Sequence, residues 1–582
     1  MSQLPAIHLA IMQPAGYVHS LGFLDQARYF RHQFRRLGAR VTIAKNRLRE
    51  DAVNFVFGAH LGFPADWQRR NPCVFVNLEQ LGQGGAEVSA EYLQLLRSSA
   101  VIDYDRANVA AYAQEPDDVP VISFGYAAYL DQATGVPPAL PLEERPIDLL
   151  FFGSVNERRR EFIARVEAAG FNVSCFDHAL YGPERDHYIR QSKAVLNCHF
   201  YESNRFEQAR AFHCLSLGTP VISERTPTTA PAAAFEDAVF WLPGQIESWF
   251  RDNFARPAFY EDARARLAAF RTPDAAHDPL VDYAELLAFA SGFRQVHART
   301  RGTEPWRPRS INLGSGKDYK PNWLNIDILD RAEPDLVLDL GRPVTLPHEA
   351  STLMGGTVRL EEESVDMLYA NNVLEHVPDL PTLMGNALKL LKTGGEFLIE
   401  VPYEKAPTAW QDPTHVRALN ENSWLYYTDW FWYLGWFENR FEMTASQWLD
   451  AKVQPCAKEQ AAFMRVALRK IATTPRERTV ARTMRADFGG LDDDAIPADD
   501  MPARAPAARA DVPFLSAARP AVTTPPPALA AIAPVLTAVE APSALPPARP
   551  AVRMPVPTPP SAAAPAQARE MPAALARLLI NS

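Results

Sequence analysis

What this sequence has little of narrows the field first. Its five cysteines, Cys73, Cys175, Cys198, Cys214 and Cys456, stand far apart and never as CxxC, which excludes a disulfide framework and a cysteine-based zinc site. Buried thiols in a reducing compartment are expected, and no metal site. No window approaches the run of about 18 apolar residues that crosses a bilayer. The start, MSQLPAIHLAIMQPAG, also lacks a basic segment followed by a long apolar one. A cytoplasmic protein without a transmembrane segment is therefore expected. A basic stripe is missing too, and the net charge of -10 argues against a nucleic-acid ligand, whose phosphates select Lys- and Arg-rich surfaces.

Proline, by contrast, is abundant, with 50 in 582 residues. Much of the excess lies beyond about Met501, in PARAPAARADVP, TTPPPALAAIAP and SALPPARPAVRMPVPTPP. Prolines at this density break helices and cannot donate to sheet ladders, so a disordered tail is expected over the end of a 476–582 segment that begins charged. Within its last residues Leu575, Leu578, Leu579 and Ile580 share a short helical face. That face reads either as a frayed end or as a peptide that docks on a partner.

A chain of this length exceeds one hydrophobic core, and its pattern divides it. Residues 1–142 open with an apolar strand (IHLAIM), a loop from Gln13 to Gly22, a helix from Asp25 to Leu37 stopped by Gly38, and a strand (ARVTIA). Further strands follow at VNFVFG, CVFVNL, SAVIDY and VPVISF, the alternation of a parallel α/β lobe. Residues 143–298 restart with IDLLFFGSVNERRREFIARVEAAGFNVSCF, again strand, Gly-Ser turn, helix, Gly and strand. RTRGTEPWRPRS, within 299–310, reads as a linker, and 311–475 form a third α/β piece.

In the third piece Ile311, Asn312 and Leu313 run directly into Gly314-Ser315-Gly316, a strand ending in a turn where ligand backbone can approach closely. A GxG alone is weak. The next strand, WLNIDI, contains Asp327 near its end, placed to accept hydrogen bonds from both hydroxyls of a ribose lying across the strand ends. DLVLDL brings Asp339 to the same rim, and VDMLYANNVLEHV leads into Asn371, Asn372, Glu375 and His376. A helix, the turn Lys392-Thr393-Gly394-Gly395 and the strand EFLIEVPY complete the order.

With its LGSG, NID, LEHV, LKTGGEFLIEVP and DPTHVR, the stretch from Ile311 to Tyr403 and the segment after it resemble class I S-adenosylmethionine-dependent methyltransferases of the polysaccharide-biosynthesis type. The resemblance implies that Gly314, Ser315 and Gly316 hold the methionine end of S-adenosylmethionine, Asp327 its ribose and Asp339 the adenine side, with Asn371 beside them. Methyl transfer needs an aligned nucleophile and, for a hydroxyl, a place for its proton. His376 and His415 are the candidates, each also readable as a cap or a packed side chain, and Arg417 is a candidate holder of an anionic acceptor. The aromatic run WLYYTDWFWYLGWF after Asn420 reads as core or domain contact.

The earlier DLLFFGSVNERRR and NRFEQARAFHCLSLGTPVISE resemble the donor lobe of two-lobed GT-B glycosyltransferases. The expected fold is thus two Rossmann-like lobes in GT-B arrangement, a Rossmann-like methyltransferase domain and a disordered Pro/Ala-rich tail. Gly153, Ser154 and the run Arg158 to Arg160 suit the diphosphate of a nucleotide sugar, or form a solvated helix face. The glutamate pair of many retaining members is absent, its places holding Arg205 and His213, so the fold carries over better than the catalytic residues. His199, Glu207 and Arg210 are the remaining candidates on the nucleotide-sugar side, and Gly16 and Ser20 lie in the loop where an acceptor would enter.

Two functions follow as expectations. One is a bifunctional enzyme of surface-polysaccharide assembly that adds a sugar and methylates a glycan hydroxyl. The alternative is a methyltransferase, acting on a glycan or a small natural product, whose first two lobes only bind or scaffold.

Overall fold

The structure, a computed structural model, describes residues 4–14, 16–131, 140–176, 180–242, 244–272, 278–300 and 304–488. Three sheets run through it. The first consists of β1 (Ile7–Ile11), β2 (Val41–Lys45), β3 (Val53–Phe57), β4 (Cys73–Val76) and β5 (Ala100–Ile102), all parallel, in the order β2-β1-β3-β4-β5. Strands β1 (IHLAI) and β3 (VNFVF) are buried at every position, as parallel strands covered on both faces must be. The helix Phe23–Arg36 covers them with Tyr29, Phe30 and Phe34, then ends at Gly38, whose φ of +81° suits glycine at a helix stop.

The second sheet holds β6 (Ile147–Leu150), β7 (Val173–Ser174), β8 (Ser192–Asn197), β9 (Val221–Glu224) and β10 (Phe240–Leu242), also parallel, in the order β10-β9-β8-β6-β7. The first two sheets share one core. Phe124 stacks on Phe212 with ring centroids 4.9 Å apart, and the helix Leu280–Thr300 returns to the first lobe, where Tyr283 packs 5.0 Å from Phe30. Arg185 of the second lobe pairs with Asp25 of the first at 2.6 Å, both nearly buried.

The third sheet contains β11 (Ser310–Leu313), β12 (Leu324–Asp327), β13 (Leu336–Val337), β16 (Val365–Asn371), β17 (Leu391–Pro402), β18 (Asn439–Leu449) and β19 (Phe463–Ala472). Its order is β13-β12-β11-β16-β17-β19-β18; β19 is antiparallel to both β17 and β18, and the other pairs are parallel. The Lys392-Thr393-Gly394-Gly395 segment lies inside β17, at a register shift against β16, with Gly394 at φ +86°. β14 (His348–Ser351) and β15 (Thr357–Leu360) form a separate antiparallel hairpin, with Trp306 of the expected linker bridged to β15.

That hairpin docks on the first lobe. The amide of Glu50 donates to the Met354 carbonyl at 2.9 Å, Arg47 pairs with Glu333 at 2.6 Å, and the Arg70 guanidinium lies 3.8 Å above the Trp306 ring. The aromatic run divides: Trp424, Tyr427 and Phe431 are buried in the core, while Tyr426, Trp430 and Tyr433 are exposed, the Tyr426 ring meeting both of the others. Among the described residues no helix is long and apolar enough to cross a membrane. The Pro/Ala-rich tail and its terminal leucine face lie outside the described residues.

Candidate functional site

Strand register assembles the first site. Leu313 at the end of β11 pairs with Ile326 of β12 on one side and Ala370 of β16 on the other, so Gly314 stands between Asp327 and Asn371. Its φ is +58°, and a Cβ there would lie 2.4 Å from Val373 Cγ2, so any other residue would have to displace the Val373 side chain. Asp327 is 8% exposed; one carboxylate oxygen accepts from the Gly316 amide and the other from the Leu329 amide, each at 2.9 Å. A carboxylate offers about four acceptor positions, so lone pairs remain for two ribose hydroxyls.

Two buried oxygens at these strand ends, Ser315 Oγ and Asn371 Oδ1, have no partner within the protein. Unpaired buried polar atoms are costly, and a bound polar group is one way in which such atoms are satisfied. Behind the loop, Asn325 accepts from Asn312 at 3.0 Å and donates to Asp335 at 2.8 Å, while the Tyr319 hydroxyl donates to Asp335 at 2.6 Å. This buried network fixes the chain from Asn312 to Lys320. Asp339 lies on the same rim beyond β13, half exposed and paired with Arg342 at 3.1 Å. These features fit S-adenosylmethionine, with its amino, carboxylate and ribose groups.

The chain leaving β16 passes Val373 and turns through Leu374–His376, which brings Glu375 and His376 to the same carboxyl end of the sheet. The DPTHVR segment crosses there: the Val416 amide donates to the Glu375 carbonyl at 2.9 Å, and the His376 and His415 rings meet edge-on with centroids 4.7 Å apart. Glu375 is 2% exposed and neither carboxylate oxygen has a hydrogen-bond partner. Burial pushes its carboxyl up to about 7, with His415 and its own backbone opposing and Asp412 adding. The two histidines singled out from the sequence are thus brought together, and the buried Glu375 has its Oε1 4.0 Å from His415 Nε2. Arg417 is engaged inward, its Nη2 donating to the carbonyls of Val377 and Pro378 at 2.7 and 2.6 Å.

A second site lies between the first two lobes, a cleft of about 750 Å³. Gly153, Ser154, Glu207 and Arg210 line it, as does Arg159 from the arginine run. Glu207 bridges Arg159 at 2.5 Å and Arg210 at 2.8 Å; burial would raise its carboxyl, but Arg210 and Arg159 outweigh this and hold it below the usual range. Gly153 has φ +125° and a Cβ there would stand 2.9 Å from the Arg210 guanidinium.

Arg158 and His199 are placed elsewhere. Arg158 makes a two-pronged pair with Glu224 at 2.6 and 2.8 Å, and His199 is fully buried between the Arg205 carbonyl and the Thr229 hydroxyl. The first-lobe loop meets the cleft through Tyr17, His19 and Gly22 rather than Gly16 or Ser20, the latter buried and donating to the Tyr17 carbonyl. Asp25, Arg185 and His213 also line it, and no local signal marked Asp25 or Arg185 in the sequence, because their pairing joins separate lobes.

No curated protein matches the chain. Among solved structures, a SAM-dependent methyltransferase from Thermotoga maritima is 14% identical over 28% of this chain and 82% of its own, with a TM-score of 0.20. One from Mesorhizobium loti is 15% identical over 31% of this chain and 98% of its own, at 0.20. A glycosyltransferase from Rickettsia africae is 8% identical over 50% of this chain and 98% of its own, at 0.33. Residues 288–443, which include the glycine loop, Asp327 and the Glu375–His376–His415 group, match a family model described as a methyltransferase domain. The C-terminal part of the chain therefore carries a methyltransferase domain, a fold that implies S-adenosylmethionine as methyl donor.

Proposed function

We propose that this domain methylates a sugar hydroxyl of a glycan and that the two preceding lobes take a nucleotide sugar as glycosyl donor, in the assembly of a surface polysaccharide. The observation that carries the methyl-transfer half is the convergence of three strand ends on Gly314, with Asp327 and the unpaired Ser315 and Asn371 oxygens around it. Gly314, Ser315 and Gly316 would hold the methionine end of S-adenosylmethionine, Asp327 the ribose and Asp339 the adenine side. When bound, it supplies an electrophilic methyl on a sulfonium sulfur. His376 and His415 would meet the acceptor hydroxyl at the carboxyl end of the sheet, and Arg417 would close that wall through the backbone it holds.

The cleft supports the glycosyl half: Arg159 and Arg210 present cationic edges beside the exposed Gly153-Ser154 turn, the combination that receives a diphosphate. One observation favours a non-catalytic cleft instead. The carboxylate that bridges those arginines, Glu207, is neutralised by both, and His199 is sealed inside the lobe.

Incubation of the whole chain with S-adenosylmethionine and glycosides, with and without uridine, guanosine or thymidine diphosphate sugars, tests the proposal. The mass of one methylene should appear on a sugar ring. Methylation confined to soluble aglycones would replace the glycan with a small natural product. Diphosphate binding without sugar transfer would reduce the lobes to a scaffold.

A further inference from the structure

We infer that Glu375, His376 and His415 form a binding site for one divalent first-row transition-metal cation beside the methyl-transfer pocket. One donor atom from each residue lies within 4.8 Å of the other two. The surrounding hydrogen bonds leave the Nε2 of each histidine available. His415 Nδ1 is 2.9 Å from the Ala409 carbonyl, which can only accept, so Nδ1 carries the hydrogen and Nε2 keeps its lone pair. The Thr414 hydroxyl gives its hydrogen to Asp412 at 2.7 Å and therefore accepts from His376 Nδ1 at 2.9 Å, which frees His376 Nε2 as well. Metal-binding imidazoles are commonly oriented this way, through the far nitrogen tied to a carbonyl or a carboxylate-linked group.

Glu375 supplies the independent observation. It is 2% exposed, both its oxygens lack a partner, and Oε1 stands 4.0 Å from His415 Nε2. That gap is too long for a hydrogen bond. Ligands held at about 2.1 Å around one ion stand roughly 3 to 3.5 Å apart, so a small side-chain rotation closes the group on a cation. Without one, a buried carboxyl group stands unpaired with the His415 Nε2 lone pair 4.0 Å away, which is unfavourable.

Two imidazole nitrogens and one carboxylate select Mn²⁺, Co²⁺, Ni²⁺ or Zn²⁺ over Mg²⁺ and Ca²⁺, which prefer all-oxygen sets. Three protein ligands leave coordination positions open. The histidines then act by holding an ion that seats the acceptor oxygen, rather than by taking its proton directly. This role rests on the methyltransferase reading; the binding of the ion does not.

The test uses the full, tag-free chain stripped with chelator and titrated with CoCl₂ by visible absorption and calorimetry, and with MnCl₂ by pulsed electron paramagnetic resonance. One equivalent of Co²⁺ should bind with visible d–d bands, and bound Mn²⁺ should show nitrogen couplings from imidazole. Glu375→Gln and His415→Ala should each weaken binding by about tenfold or more, while affinity for S-adenosylmethionine, held by the glycine loop and Asp327, stays unchanged. Absence of saturable binding, oxygen-only ligation of Mn²⁺, or unchanged affinity in both variants would overturn the site. Should a variant fail to fold, the resonance spectrum of the unaltered chain decides alone. Cation binding without methyl transfer to any acceptor would sink the methyltransferase reading and leave the site standing.

Discussion

The Asp327 carboxylate holds the glycine loop in place through two backbone amides and still has acceptor capacity facing the cradle. Asp327→Ala should therefore weaken S-adenosylmethionine binding by about 1 to 3 kcal/mol, the cost of leaving buried polar groups unpaired. Calorimetry checks this, and unaltered affinity would place the ribose elsewhere. His8 gives a second residue-scale prediction. It is buried at 2% exposure, with Nδ1 2.7 Å from the Thr42 hydroxyl and Nε2 3.0 Å from the Arg47 carbonyl. Burial, reinforced by Arg49 and opposed by the Arg47 carbonyl and Asp51, lowers its pKa from 6.5 to about 4. The unfolded chain thus binds a proton that the folded chain refuses between those two values. Stability contributed by neutral His8 is complete above pH 6.5 and is lost as pH falls toward 4, by up to about 3 kcal/mol. Urea midpoints for His8→Gln should show a shallower acid limb over that window than the unaltered chain; identical limbs would rule the contribution out.

At the scale of elements, the hairpin β14–β15 joins the methyltransferase domain to the first lobe. Its turn needs Gly355, which has φ +81° and whose added Cβ would stand 2.6 Å from Asp51 Cβ. Gly355→Ala should cost about 1 to 3 kcal/mol and loosen the hairpin from the Glu50–Asp51 loop without touching the cofactor cradle. Limited proteolysis between the domains should accelerate while S-adenosylmethionine affinity holds. Equal protection in variant and parent would mean the docking does not depend on this turn. Nothing in HEASTLMGGTVRL marks it as a hairpin that packs on a distant loop, since its partner residues lie some 300 positions earlier. The glycine loop was legible because its signal is local: an apolar strand, a GxG turn, and an acidic residue near the end of the following strand. The second-lobe residues Arg158 and His199 were legible as candidates and are placed away from the cleft, because Glu224, the Arg205 carbonyl and Thr229 claim them.

For the whole molecule, a ligand that binds only the folded state stabilises it by mass action, about 2.7 kcal/mol at a hundredfold excess over its Kd. The docked first lobe and methyltransferase domain, joined through Arg47–Glu333, Glu50–Met354 and Arg70–Trp306, should share that gain. S-adenosylmethionine is expected to raise the melting midpoint of both together in calorimetry, and an increase confined to one of two separate transitions would show the halves to be thermally independent. By itself the sequence determined three α/β sheets and the strand-end glycines and Asp327, because parallel strands, their turns and their burial are written in short-range pattern. Only the tertiary structure decided that the helix Leu280–Thr300 closes the core of the first lobe, that Glu207 bridges two arginines, and that Glu375, His376 and His415 converge. Each of those depends on chain segments far apart in sequence, whose meeting is set by how the sheets pack rather than by any local preference.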